Sequence, residues 1–157
     1  MWTVITHSPA QTEGLGHRLG RRLSPPALVA LAGELGSGKT CLAQGILRGI
    51  GVTEAYLTSP SYILVQEYAA KGREIKVYHM DVYRLETPQQ IEELGYQEYL
   101  GSQSIGIIEW AEKIEDLLPE EYLKIKMVAV GSHEREIQLI PYGSRYEEII
   151  SQVRSNA

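Results

Sequence analysis

Residues 33–40 read "GELGSGKT" and follow directly on the apolar run "ALVALA". Glycine, four residues, then Gly-Lys-Thr is the P-loop spacing, and no other feature of the chain constrains its fold as tightly. Such a loop works between a buried strand and the first turn of a helix. Gly33, Gly36 and Gly38 admit backbone conformations that a β-carbon disfavours. Successive N–H groups can then turn inward as an anion-binding nest. "ALVALA" is continuously apolar, as a parallel strand covered on both faces must be. "CLAQGILRGIG" carries apolar residues at helical spacing, and its amino terminus adds partial positive charge under a phosphate. Ordinary composition writes this pattern by accident in roughly one chain of this length in 200, and the flanking strand and helix make the accident rarer. The stretch therefore reads as a nucleotide site. Lys39 is expected to reach the outer phosphates and the Thr40 hydroxyl to ligate Mg²⁺, with Gly36, Ser37, Gly38 and Cys41 contributing around the phosphates.

The rest of the chain supplies the strands and helices such a loop needs. "WTVIT" reads as a short strand, and a helix begins near Pro9 with Ser8 as its cap. The helix after the P-loop ends near Gly49 or Gly51. "SYILVQEYAA" and "EIKVYHMDVY" form a hairpin around "KGR". "TPQQIEELG" is a short helix capped by Thr87, "SIGIIEW" a further buried strand, and "EYLKIKMVAV" with "EREIQLI" a second hairpin around "GSH". "SRYEEIISQVRS" closes as a helix with Ile149, Ile150 and Val153 on one face. Strands and helices interleave with hairpins inserted, so the sheet should be mixed. The expected architecture is α/β: one P-loop NTPase domain over residues 1–157, its mixed β-sheet flanked by helices.

A chain of 157 residues has room for one domain with a real core. It contains no run of 18 apolar residues, and its start lacks a basic region followed by an apolar one. Neither a membrane span nor a signal peptide is expected. The single cysteine fits a reducing cytoplasm. The net charge of −5 speaks against a direct grip on RNA or DNA, so a nucleic-acid role would run through a partner.

Hydrolysis also needs a metal-side acid, a group that places the nucleophile, and neutralisation of charge. Glu109 ends "SIGII" in the position of a Walker B acid, and Asp81 ends "KVYHM"; ligands gather outside the carboxyl ends of such strands. A solvated strand-end acid is the plainer alternative for each. "TSPSY" lies where switch segments occur, yet by itself it is a turn. Trp110 follows Glu109, so its ring should fall on the opposite face in a core or interface role. His79 reads as a buried residue beside the hairpin rather than a general base. Arg84 and Arg135 are the candidate cations, with surface pairing as the alternative. Cys41 stands in a first helical turn, which lowers a thiol pKa, but it reads as a packing residue.

Taken in order, "GELGSGKT", "TSPSY", "YHMDVYRL" and "IIEWAEKIEDLLP" form a specific set. The sequence resembles the bacterial TsaE family, the small P-loop ATPases of tRNA threonylcarbamoyladenosine biosynthesis, from "QTEGLGHRLG" to "HEREIQL". The resemblance implies a mixed-sheet P-loop fold, ATP/ADP with Mg²⁺, and action with two subunits of actin-like fold, one of which transfers the threonylcarbamoyl group. It implies tRNA as an indirect partner, and neither DNA nor a membrane. By position, Lys39 looks like the phosphate lysine, Thr40 and Glu109 like the Mg²⁺ ligands, and Asp81 like the residue that activates water. Thr12 matches a residue near the nucleotide, before the first helix, and Arg135 a hairpin arginine close to it. Trp110, Tyr83 and Arg84 match signature positions. Glu34, Ser37, Cys41 and Ser61 depart from the usual Asp, Ala, Thr and Thr.

Two other functions compete on the sequence alone. A small-molecule kinase needs a lid that supplies arginines, whereas the segment after "YHMDVYRL" is acidic and no arginine cluster precedes Arg135. A regulatory switch, in which bound nucleotide gates an interface, is not separated from a working ATPase by these residues.

Overall fold

The computed structural model describes residues 1–53, 65–95, 101 and 103–156. Its elements run β1 (Trp2–Thr6), α1 (Pro9–Gly20), β2 (Ala27–Ala32), α2 (Lys39–Ile50), β3 (Val65–Ala69), β4 (Lys76–Asp81), α3 (Pro88–Leu94), β5 (Ser104–Glu109), a 3₁₀ segment (Ala111–Leu117), β6 (Tyr122–Ala129), β7 (Arg135–Tyr142) and α4 (Ser144–Ser155). The described strands form one sheet in the order β1-β7-β6-β2-β5-β4-β3. β6, β2, β5 and β4 are mutually parallel, while β3 and β7 pair antiparallel at either side and β1 pairs antiparallel with β7. The mixed sheet expected from the interleaved hairpins is therefore the observed one.

Side-chain alternation divides β2 and β5 between two cores. Val29, Leu31, Ile105 and Ile107 pack with α1, α2 and α4 on one face. Leu28, Ala30 and Ile108 pack with Ala111 and Ile114 of the 3₁₀ segment on the other. β2 and β5 are buried along their whole lengths, which is why both read as apolar runs. α4 lays Ile149, Ile150 and Val153 against the first core. It also sends the Tyr146 hydroxyl to accept the buried Leu28 N–H at 3.1 Å, one residue before β2 takes up its pairing with β6.

Local chemistry sets the ends of the helices. The Ser8 hydroxyl accepts from Gln11 N–H and starts α1. Thr87 and Gln90 form a reciprocal capping box at α3, and Gly51 in a left-handed conformation closes α2. α1 and α2 approach until their backbones touch. A β-carbon on Gly16 would lie 2.4 Å from the Leu42 carbonyl oxygen, and one on Gly45 2.2 Å from that of Glu13. Only glycine fits at this crossing, and the contact seats α2, with the loop before it, against the sheet.

Candidate functional site

The loop joining β2 to α2 carries the three positive-φ glycines its spacing demands: Gly33 at 153°, Gly36 at 80° and Gly38 at 97°. Gly38 forms the N-cap of α2 without a side-chain hydrogen bond, so helix dipole and free amides both face the loop. Ser37 is buried, and its N–H closes a turn on the Glu34 carbonyl at 3.1 Å. Lys39 is only 5 % exposed. Its ammonium donates to the carbonyl oxygens of Gly33 and of Glu34 (2.9 Å) and to Ser37 Oγ (3.3 Å), and it lies 4.0 Å above the Trp110 ring. Burial pulls the Lys39 pKa below the ordinary lysine value, and the carboxylates of Glu112, Glu109, Asp81 and Glu34 oppose that shift.

Two parallel strands deliver the acids. Asp81 pairs with Glu109 at the carboxyl ends of β4 and β5, and Glu109 pairs in turn with Leu31 of β2. In-register partners share a face, so both carboxylates stand on the α2 side, and both are buried. Thr40 Oγ1 donates to Glu109 Oε1 at 2.8 Å. The two residues expected to ligate a metal thus touch across 69 positions of sequence. His79 lies two residues before Asp81 on the same face, and its Nε2 meets the second carboxylate oxygen, Oε2, at 2.6 Å. Asp81 Oδ1 accepts from the Tyr83 N–H at 2.9 Å, which fixes the turn leaving β4.

Arg135 begins β7, in register with Thr6 of β1. Its guanidinium donates to the Gly36 carbonyl at 3.2 Å and to carbonyls of its own hairpin, tying that hairpin to the P-loop. Thr12 lies within the first turns of α1 rather than before the helix, a correction to its expected place. It is buried and shares a 2.7 Å hydrogen bond with Thr6 Oγ1, at the corner where β1 meets Arg135. Cys41 Sγ is directed to the Pro9 carbonyl of α1 at 3.4 Å. Burial, reinforced by Glu13, pushes its thiol pKa up, against the lowering expected from a first helical turn.

Trp110 falls on its expected face and gains a contact besides. Its ring packs against the core on the far face, as alternation requires, but it also underlies the Lys39 ammonium. A left-handed backbone at Trp110, φ 62°, ends the strand geometry and brings the ring to the rim. Tyr83 joins it with ring centroids 4.8 Å apart. Arg84 is exposed in the turn after β4. The segment "TSPSY", with Ser59, Pro60 and Ser61, lies outside the described residues.

The arrangement offers an anion nest, one buried cation and a hydroxyl–carboxylate pair. Among the described residues, no group of three or more His, Cys, Asp or Glu side chains forms a cage for a metal ion. None of the described helices is long and apolar enough to cross a membrane.

Comparison with known proteins places the chain in a family. The family model described as "Threonylcarbamoyl adenosine biosynthesis protein TsaE" matches residues 6–137. The tRNA threonylcarbamoyladenosine biosynthesis protein TsaE of Bacillus subtilis is 35% identical over 152 residues, which cover 97% of this chain and 92% of that protein. The protein of the same description from Haemophilus influenzae is 40% identical over 124 residues, covering 79% of this chain and 76% of that one. The crystal structure of B. subtilis YdiB superposes with a TM-score of 0.81 at 31% identity, covering 99% of this chain and 95% of that chain. The chain belongs to the TsaE family of threonylcarbamoyl adenosine biosynthesis proteins.

Proposed function

We propose that this chain binds ATP with Mg²⁺ and hydrolyses it to drive or reset the multiprotein complex that makes the threonylcarbamoyladenosine modification of tRNA. The observation that carries the reading is the 2.8 Å contact of Thr40 with Glu109 at the end of a P-loop whose glycines hold the required backbone. A hydroxyl and a carboxylate are hard oxygen donors, and Mg²⁺ is commonly held by one or two protein oxygens together with phosphates and water. The residues present fit that ion. Bound there, Mg²⁺ would neutralise charge on the phosphate oxygens.

The chain's own groups do the remaining work. The amides of residues 36–41 receive the phosphates at the amino end of α2. Lys39 exchanges loop carbonyls for phosphate oxygens, a stronger acceptor for a partly desolvated ammonium. Asp81, beside Glu109 on the same face, orients the attacking water. Arg135 holds the β6–β7 hairpin on the loop, and Thr12 braces the adjacent corner. Among the described residues, Lys39 and Arg135 are the cations seen to touch the loop, and the Arg135 guanidinium is engaged by backbone carbonyls rather than aimed at the phosphate nest. A cation aimed there is worth about 10³ or more in rate, so a partner completes the site. The partners in this reading are two subunits of actin-like fold, one transferring the threonylcarbamoyl group, with tRNA brought by them in the cytoplasm.

The test is ATP turnover by the lone protein and by the protein with both partner subunits and tRNA. Turnover should be slow alone and rise at least tenfold in the complex. Fast turnover alone, unchanged by the partners, would contradict the proposal and favour a self-sufficient kinase or hydrolase.

A further inference from the structure

His79 is wholly buried in the middle of β4, a position that apolar residues fill on either side in Tyr78 and Met80. Its ring makes one hydrogen bond of note: Nε2–H donates to Glu109 Oε2 at 2.6 Å. Among the described residues, Nδ1 has no hydrogen-bond partner. A buried polar atom left in this way weighs against the fold, so local packing does not account for a histidine here. Its contact with Glu109 does. Glu109 is itself 2 % exposed, and a carboxylate so placed needs donors on both oxygens. Thr40 takes Oε1 and His79 takes Oε2. Without the second donor the carboxylate would be free to rotate about its terminal torsion, which is broad and shallow.

We propose that His79 is the positioning residue of Glu109: its Nε2–H fixes the carboxylate plane so that Oε1 stays aimed at Thr40, which pre-forms the metal-binding edge of the site. This rests on the reading of Thr40 and Glu109 as Mg²⁺ ligands. The role depends on a single directed donor, not on the charge state of the ring. Groups that hold a metal's carboxylate ligand in place commonly change metal affinity by 10- to 100-fold when removed.

The experiment uses the full chain with ADP, and Mn²⁺ as a paramagnetic stand-in for Mg²⁺, with free Mn²⁺ counted by electron paramagnetic resonance. His79→Leu should weaken Mn²⁺ uptake by the ADP complex 10- to 100-fold while ADP affinity in EDTA stays within twofold. His79→Gln, whose amide nitrogen reaches about as far as Nε2, should stay within threefold of the parent. Unchanged Mn²⁺ affinity in His79→Leu, or equal losses in Leu and Gln, would overturn the proposal. Should His79→Leu not fold, His79→Asn replaces it: its shorter amide cannot reach Oε2, so Asn must lose what Gln keeps, and equal behaviour refutes the role. Glu109→Ala separates the two readings. If it binds Mn²⁺ like the parent, the metal assignment fails and this proposal with it. If it loses Mn²⁺ while His79→Leu does not, only the role of His79 falls.

Discussion

Asp81 and Glu109 are adjacent in the sheet and equally buried, yet their contacts differ. Glu109 is held by Thr40 and His79, whereas Asp81 caps the Tyr83 N–H. If Glu109 anchors the metal, Glu109→Ala should weaken Mg²⁺-dependent nucleotide binding. Asp81→Ala should leave binding within about threefold and slow hydrolysis in the full complex by about 10²-fold or more, because orienting a nucleophile acts on the transition state alone. Single-turnover hydrolysis beside equilibrium binding checks this, and a parental hydrolysis rate in Asp81→Ala would remove it from the catalytic residues. Both acids were legible in the sequence, since a carboxylate at the end of an apolar run is a local signal. The use of His79 was not, because it depends on β4 lying beside β5, which brings its ring to a carboxylate 30 positions away in sequence. Trp110 was half legible. Strand alternation gave its face, but not the left-handed turn that brings its ring under Lys39; a non-glycine residue held there costs about 1–3 kcal/mol and such strain gathers at functional sites.

The same division holds for the elements. Strand runs, helix caps and hairpin turns were readable because each is written within a few residues: Ser8, Thr87 and Gly51 cap as their types dictate. The contact between α1 and α2 was not readable. Gly16 and Gly20 on one helix and Gly45 and Gly49 on the other look like weak helix formers until the two faces are brought together. Their meaning is steric and belongs to the pair. Gly45→Ala gains about 1 kcal/mol of helix propensity. It also places a methyl group 2.2 Å from the Glu13 carbonyl oxygen, and overpacking of this kind costs about 1–3 kcal/mol, occasionally more. With backbone rather than a yielding side chain on the far side, the steric loss should dominate. Urea denaturation is expected to show a net loss of about 1 kcal/mol or more, and a variant as stable as the parent would mean that the helices separate freely. Because α2 carries the P-loop at its amino end, nucleotide affinity should fall along with stability.

For the whole molecule, the pattern of charge and the site's position argue for work done through partners. A net charge of −5 gives little electrostatic drive toward a phosphate backbone, so the protein alone should bind bare tRNA weakly. The Lys39–Trp110–Tyr83 contacts connect the loop to an exposed rim: Tyr83 is half exposed, and Lys113 lies 4.8 Å over its ring. A change in the Lys39 contacts therefore reaches the surface directly. Affinity for the two partner subunits should differ at least tenfold between ATP and ADP, and by linkage the partners must shift nucleotide affinity by the same factor. Biosensor titrations with ATP, with ADP and without nucleotide measure both sides of that relation. Identical affinity in all three conditions would exclude nucleotide control of assembly.

Metal-dependent binding, hydrolysis and nucleotide control of assembly all depend on the P-loop holding a nucleotide through Lys39, and calorimetric titration of ATP in Mg²⁺ into the parent and into Lys39→Ala tests that most directly. Charge-assisted hydrogen bonds of this kind contribute about 1.5–3 kcal/mol each. Lys39→Ala should remain folded by circular dichroism and bind ATP at least tenfold more weakly than the parent. Parental ATP affinity in a folded Lys39→Ala variant would contradict the assignment of the site.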